Sequence, residues 1–596
     1  MMTNNLNGDY MKNKGVPIIR QIGYSLTDLN QSISTWQELN EAKYLLRYPT
    51  VYIINDEEKK NDFKVYVGET ADINSRTKQH LQGDVKMKEY WQEFSNSFTS
   101  SMYVIGHQYF NKSLTLDIEN RLMQYLSSVN SVSSIYNSRT NQQNEYYTSD
   151  QLDTIFSQIW KKLNKENNIL FPVESIIRDS AIFKASPFHK LTSEQNAAKD
   201  EITMKIQVAL HNQQEGQLVL VEGEAGSGKT VLMSSLFFDL KRDFEKENND
   251  SSLDVHLLVN HDEQLKVYRE IAKKLGLYDK KDNKQPIVNK PTSFINHHST
   301  DEKVDVIIVD EAHLLLTQGK QSYRGKNHLN DLLERARVVV AVFDHKQILS
   351  TEQVLEEEQL NKLISSTKAN DNHIQLRNQM RINSGVETIN WIRHLVDQQA
   401  IENIPEDSKG YEIKIFNKPA DLENAVRKKA ESEESGISRL LATYDWKYVG
   451  QKKPENQDYW NVKIDDWKMP WNSQLNVENK RQKNLSWPEQ SQTINEVGST
   501  FTIQGFDLNY AGVIIGPSVK FRNGRIIFDG SESYNKKATQ NRTLSDNSKR
   551  KFDQELLKNE LNVLLTRGVN GLYIYAVDDE LRAALQRAAN GGINHE

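Results

Sequence analysis

The 596-residue chain contains no cysteine, which excludes disulfides, thiolate metal sites and cysteine nucleophiles. It also lacks an apolar run approaching the ~18 residues that a membrane-spanning helix needs. Its start, Met-Met-Thr-Asn-Asn-Leu-Asn-Gly, is too polar for a secretory signal. A basic excess is missing as well: 75 Lys and Arg stand against 81 Asp and Glu, a formal net charge of −6. Any hold on nucleic acid must therefore come from local patches. These absences lead to the expectation of a cytoplasmic chain with no membrane contact. Its length suits about three to four domains.

What is present is led by Gln217-Leu-Val-Leu-Val-Glu-Gly-Glu-Ala-Gly-Ser-Gly-Lys-Thr230, an apolar strand running into a glycine-rich loop. Gly223, Gly226 and Gly228 let the backbone turn tightly enough to surround phosphate oxygens with N–H groups. Lys229 supplies a point charge, and the Thr230 hydroxyl is a ligand for Mg²⁺. A helix is expected from residue 231, its N-terminal dipole favouring the anion. This pattern binds a nucleoside triphosphate, ATP, with Mg²⁺.

Val304-Asp-Val-Ile-Ile-Val-Asp-Glu-Ala-His313 reads as a buried strand ending in two carboxylates. Asp310 is placed to hold Mg²⁺ through water, and Glu311 to polarise the attacking water. A further strand ends in Asp344-His-Lys-Gln347, where Gln347 is positioned to sense the terminal phosphate. Arg381 and Arg567 sit where they can clamp transition-state charge across a cleft between two lobes.

Around these motifs, strand-like runs at 218–221, 255–259, 304–309 and 338–343 alternate with helical patterns, and 411–415, 438–443, 512–515 and 572–575 repeat the arrangement. Such alternation specifies parallel sheets covered by helices. Two polar insertions interrupt the second set. Residues 445–488 hold five tryptophans (Trp446, Trp460, Trp467, Trp471 and Trp487), and residues 520–551 hold nine Lys/Arg against three Asp/Glu. Aromatic and basic groups together can hold a strand by stacking and charge; the alternative is a solvated loop over a small tryptophan core.

Near the front, Thr50-Val-Tyr-Ile-Ile54 and Lys64-Val-Tyr-Val-Gly68 form a hairpin pattern, each strand centred on a tyrosine, Tyr52 and Tyr66. If the next segment is helical, Arg76 and His80 share a face. From residue 113 an amphipathic helix buries Leu114, Ile118, Leu122 and Tyr125. Glu119 borders that stripe, an unusual place for an acid.

In order, the motifs from Gln195 to Gly568 resemble those of superfamily 1 helicases, and most closely the helicase domain of the Schlafen group 3 family. Arg439-Leu-Leu-Ala-Thr-Tyr-Asp-Trp446 and Asn562-Val-Leu-Leu-Thr-Arg-Gly568 carry that likeness, which spans roughly residues 180 to 590. The resemblance implies two RecA-like lobes that hydrolyse ATP and act on DNA or RNA, with Gln195 contacting adenine and Ser499 to Asp507 coupling nucleic acid to nucleotide. The N-terminal constellation resembles the GIY-YIG nucleases over roughly residues 45 to 140, Val51-Tyr-Ile53 and Tyr66-Val-Gly68 standing for the naming tripeptides. Val51 departs from the family's glycine. This second resemblance implies Glu119 as ligand of one divalent metal (Mg²⁺, or Mn²⁺). It gives Arg76 the scissile phosphate, Tyr52, Tyr66 and His80 the water, and Asn137 the family's asparagine position.

The expected fold is α/β: a small α+β nuclease domain (1–165), a linker (166–190), and two parallel-sheet lobes (191–372 and 373–596). The expected function is an ATP-dependent helicase or translocase fused to a metal-dependent endonuclease. DNA is the first choice of partner, with RNA open, and the expected setting is genome conflict. An ATP-switched sensor with a non-cutting N-terminal module and a repair helicase–nuclease stay open, as do a homo-oligomer and a partner subunit.

Overall fold

A computed structural model describes residues 15–593, apart from 40–42, 85–87, 138–142, 144, 224–225, 248–252, 278–285, 320–322, 378–380, 433, 451 and 478–481. Glu224 and Ala225 of the phosphate loop, the three residues before Arg381, and the polar start of the chain thus lie outside the described residues. The chain divides into two compact units. One comprises Met1–Lys190 with Tyr268–Lys284; the other comprises Leu191–Val267 with Gln285–Glu596.

The first unit is built on a five-stranded sheet in the order β1-β4-β2-β3-β5. Its strands are β1 (Ile18–Gly23), β2 (Thr50–Lys59), β3 (Asp62–Thr70), β4 (Ser101–Gly106) and β5 (Val132–Ile135). The expected hairpin is β2–β3, antiparallel, with Tyr52 opposite Gly68. Only β3–β5 is parallel. Two helices flank the hairpin. Ile73–Gln82 is capped by Asp72, whose carboxylate accepts from the Ser75 N–H, and Lys112–Ser128 is capped by Asn111. The second of these buries Leu114, Ile118, Leu122 and Tyr125 as its spacing predicts.

The second unit holds two sheets in which every pairing is parallel. The first follows the order β11-β6-β10-β9-β7-β8. Its members are β6 (Gln217–Gly223), β7 (Val255–Val259), β8 (Val288–Asn289), β9 (Val304–Asp310), β10 (Ala336–Phe343) and β11 (His373–Leu376). The second sheet contains β12 (Glu412–Ile415), β13 (Arg439–Ala442), β16 (Val497–Gly498), β17 (Leu508–Ile515) and β22 (Gly568–Ala576), in the order β12-β22-β17-β13-β16. Strand cores such as Val338, Val339 and Val340 are wholly buried, as strands covered on both faces must be. The carboxyl ends of β6, β9 and β10 bring the loops after Gly223, Asp310 and Phe343 to one edge, the usual ligand edge of such sheets.

Part of the aromatic and basic content of the insertions is taken up by structure. Residues 445–488 contain a hairpin of β14 (Asn461–Ile464) and β15 (Trp467–Pro470). Trp471 and Trp487 are wholly buried, and the indole N–H groups of Trp446 and Trp460 donate to the Lys463 and Lys452 carbonyls. These tryptophans form a core, the simpler of the two expectations. The later insertion contains β18 (Val519–Arg522) paired with β19 (Arg525–Phe528), and β20 (Arg542–Thr543) paired with β21 (Lys549–Arg550). Three of its cations are consumed structurally. Lys520 pairs with Asp529, Arg522 with Asp578, and Arg542 donates to the Thr351 and Val354 carbonyls.

Candidate active sites

The phosphate loop is shaped by sterics before chemistry. Gly226 and Gly228 take φ of 90° and 75°, the left-handed region where glycine is favoured. A Cβ on Gly223 would lie 2.5 Å from Ser227 Oγ and 3.2 Å from Leu376 Cβ, so any larger residue at this strand end crowds the loop and the neighbouring strand. The helix Lys229–Glu247 follows directly.

Lys229 is buried, and its ammonium donates to the Gly223 carbonyl at 2.6 Å and lies 3.7 Å from the Asp344 carboxylate. Burial holds its pKa below the ordinary lysine range, opposed by Asp344 and Glu311. Asp310 closes β9 with one carboxylate oxygen accepting from Gln264 Nε2 at 2.9 Å and the other from the Glu311 N–H at 3.0 Å. Glu311 adopts a left-handed φ of 52°. Its carboxyl is buried, with pKa raised by desolvation, and lies 3.3 Å from His313 Nε2. A backbone held in that sparsely populated region aims a side chain at a cost, a pattern associated with functional sites.

Gln347 joins the two lobes of this unit. Its amide donates to Asp344 at 2.7 Å, and its carbonyl oxygen accepts from Arg567 at 3.1 Å. Arg567 is completely buried and also donates to the Val563 and Phe506 carbonyls. Burial, reinforced by Arg381, pulls its pKa down to about 9. Arg381 meets Asp507 at 2.6 Å. Arg381 therefore lies close enough to both Lys229 and Arg567 to disfavour their charge, an arrangement a polyphosphate relieves. Gln195 is buried at the start of the helix Ser193–His211, where it completes a capping box with Thr192. Its amide approaches the Ser227 and Gly228 carbonyls at 3.4 Å, so it braces the phosphate loop from behind.

This donor set fits a triphosphate with a hard divalent cation. Ser227 Oγ is buried without a hydrogen-bond partner, a polar atom suited to a phosphate oxygen. The oxygens of Thr230 and Asp310 are of the type Mg²⁺ takes.

In the first unit the chemistry gathers beside the β2–β3 hairpin. The Tyr52 and Tyr66 rings stack 6.1 Å apart at 23°. A Cβ on Gly68 would fall 2.5 Å from the Tyr52 ring and hydroxyl, so glycine here is demanded by the tyrosine opposite. Val51 makes no such demand and is simply buried in the sheet. The Arg76 guanidinium lies against both phenols. Burial drives both tyrosine pKa values up, and the Glu119 charge adds to the effect. Tyr52, Tyr66, Arg76 and Glu119 thus share one neighbourhood. Glu119 is 5% exposed and accepts from Asn137 Nδ2 at 2.8 Å, while the same nitrogen donates to the Val67 carbonyl. A single buried carboxylate with one oxygen tied to an amide fits one hydrated divalent ion.

His80 is buried, and desolvation together with Arg76 lowers its pKa to about 4, so its ring is neutral near pH 7. Its Nδ1 faces the Asp84 carboxylate at 2.7 Å and its Nε2 faces the Tyr52 hydroxyl at 2.8 Å. A carboxylate only accepts, which puts the proton on Nδ1 and leaves Nε2 to accept from Tyr52. Asp84 was absent from the sequence-derived set. It sits four residues beyond His80, as His80 does beyond Arg76, so extending the helical spacing once more finds it. Gln264 was also missed, and nothing in its sequence context marks it.

A protein-family model for the Schlafen group 3, DNA/RNA helicase domain matches residues 216–578, more than half of the chain. The chain belongs to the Schlafen group 3 helicase family. A second model, the GIY-YIG catalytic domain, matches residues 48–131. A Saccharomyces cerevisiae relative, Uncharacterized protein YPL245W, is 32% identical over 397 residues, covering 62% of this chain and 84% of its own. A solved structure titled for DNA unwinding at forked dsDNA by two coordinating Pif1 helicases aligns at 12% identity with a TM-score of 0.24. It covers 66% of this chain and 94% of its own. This Schlafen group 3 helicase is accordingly an ATPase and helicase joined to a GIY-YIG endonuclease. Among the described residues no helix is long and apolar enough to cross a membrane.

Proposed function

We propose that this polypeptide couples an ATP-driven, superfamily 1-type nucleic-acid motor to a metal-dependent phosphodiesterase, with DNA as its principal substrate. The observation that carries the motor assignment is the buried chain of contacts from Lys229 through Asp344 and Gln347 to Arg567, which ties the phosphate loop to the second lobe. Lys229 binds the phosphates, Glu311 orients and polarises the attacking water, and Gln347 with Arg381 and Arg567 meets the transferring phosphoryl group. Thr230 and Asp310 hold Mg²⁺ in this scheme.

A cleft of about 470 Å³ lies on the same unit, lined by Asn260, Lys290, Phe501 and Gln504 among others. Gln504 also donates to the Gln347 carbonyl at 3.2 Å and approaches His313 Nε2 at 3.5 Å. A strand in that cleft touches a residue bonded to the nucleotide sensor, which supports coupling between the two.

In the nuclease unit, Arg76 grips the scissile phosphate, and Tyr52 positions the attacking water and passes its proton toward His80, with Tyr66 as its stacking partner. Asp310 with Thr230, and Glu119 separately, would each hold a divalent ion, which when bound would supply positive charge for phosphate oxygens at the first site and for the leaving oxygen at the second. A restriction-like role in genome conflict, in the cytoplasm, is the proposed setting, and it rests on the analogy of domain combination alone.

The test of the motor is ATP hydrolysis by the full chain with single-stranded DNA, single-stranded RNA, or neither. Stimulation by DNA beyond RNA, abolished in Gln504→Ala, is expected. Equal turnover under all three conditions contradicts coupling.

A further inference from the structure

A second recess lies in the second lobe, formed where the two insertions meet. It has a volume of about 480 Å³ and is lined by Tyr444, Tyr448, Phe501 and Tyr534 together with Lys447, Lys536 and Lys537. No Asp or Glu is among its lining residues. Four aromatic rings and three ammonium groups in one recess match the chemistry of a base attached to phosphate. The rings offer faces for stacking, and the lysines offer point charges for the backbone.

The recess is built rather than incidental. Phe501 stands edge-on to Tyr444, with ring centroids 5.5 Å apart at 78°, and Lys537 lies 5.0 Å over the Phe501 ring. Beneath them the buried Glu560 accepts from the Tyr444 N–H and from Asn535 Nδ2, which fixes one residue from each side of the recess. The Tyr444 hydroxyl accepts from Asn472 at 3.2 Å. Tyr534 is 52% exposed, a large aromatic ring left partly in water at the mouth. Phe501 and Lys537 also line the inter-lobe cleft, so the recess and the cleft adjoin and share part of their walls.

We propose that this recess captures an unpaired base, with its flanking phosphates, from a single strand lying in the inter-lobe cleft. The insertions thereby supply a second point of grip beyond the cleft itself. The tryptophans of residues 445–488 serve this site indirectly, as the core that holds Tyr444 and Asn472 in place. The inference rests on the nucleic-acid-binding motor proposed above.

The test uses the full chain and a fluorescent single-stranded oligodeoxynucleotide, with anisotropy read at several salt concentrations. Tyr534→Ala is expected to weaken binding about tenfold, as loss of one base-stacking partner does, and Tyr534→Phe to restore it. Lys536→Ala combined with Lys537→Ala is expected to lower the slope of log K against log salt by about 1.4, the share of two phosphate contacts on a single strand. An abasic nucleotide scanned along the oligonucleotide should reproduce the Tyr534→Ala loss at one position and add nothing in that variant. Thermal melting of each variant reports whether the lobe still folds. Wild-type binding with folded Tyr534→Ala equal to wild type overturns the recess alone. Failure of the wild type to bind any single strand overturns the motor's nucleic-acid reading with it.

Discussion

The proposed nuclease centre gathers residues from one hairpin, the two helices beside it and the segment after β5: Tyr52 and Tyr66, Arg76 and His80, Glu119 and Asn137. The proposed ATP centre gathers residues from Gln195 to Arg567, spread over two lobes and held by buried polar contacts. The difference reflects what each must do. Phosphodiester hydrolysis needs fixed groups around one carboxylate, and neighbouring strand and helix positions supply them. ATP hydrolysis coupled to movement needs groups that meet across a cleft. Two of those groups have protein partners close by, Lys229 on the Gly223 carbonyl and Arg381 on Asp507.

The largest expected effects separate the two centres. Lys229→Ala should cut ATP turnover by about 10³-fold, the scale lost with a charge that stabilises a phosphoryl transition state, while cleavage that needs no ATP survives. Glu119→Gln should lower cutting by about 10²- to 10³-fold and leave ATP hydrolysis intact, read from nicking of labelled plasmid beside phosphate release.

Somewhat smaller is the effect of the relay behind Tyr52. Asp84→Asn offers an N–H to His80 Nδ1 and so favours the tautomer that cannot accept from Tyr52; cutting should fall by about 10²-fold, since a mis-set general base forfeits roughly that much. An Asp84→Asn enzyme as fast as wild type would remove the Asp84–His80–Tyr52 chain from the account.

Much of this was legible in the sequence because both centres use local signals. The phosphate loop, the Asp310–Glu311 pair and the tyrosine hairpin each sit in a continuous stretch whose periodicity places it at a strand end. The eight expected strands of the lobes all appear, at 217–223 and 568–576 among others. In the two large parallel sheets the strands that escaped are β8, β11 and β16, two to four residues long and too short to show alternation. Burial was harder to foresee. The tryptophans of the insertion look like a stacking platform when counted, and only packing shows Trp471 and Trp487 enclosed. Arg567 is expected at a cleft, and its complete burial is visible only in the packing, where Gln347 and two carbonyls accept from it.

The smallest expected effect concerns pH. His261, His313 and His328 are buried in the helicase unit and held at pKa values of about 4 by desolvation. His328 shows why: its Nδ1 accepts from the Leu316 N–H and its Nε2 faces Thr292 Oγ1. Between pH 6.5 and 4 the unfolded chain binds protons that the folded unit refuses, so stability rises with pH across that window and is lost as pH falls through it. The helicase unit's melting temperature should drop by several degrees from pH 6.5 to pH 4.5. A flat profile would mean these rings are solvated.

The most direct test of the central claim, two separate hydrolytic centres on one chain, is a paired assay of wild type, Glu119→Ala and Lys229→Ala. ATP hydrolysis and cleavage of labelled plasmid DNA and structured RNA are followed together with Mg²⁺, with and without ATP. The account predicts that Glu119→Ala loses cutting and keeps ATP turnover, that Lys229→Ala loses ATP turnover, and that wild-type cutting changes when ATP is present. Full ATPase activity in Lys229→Ala, or undiminished cutting in Glu119→Ala, would contradict it.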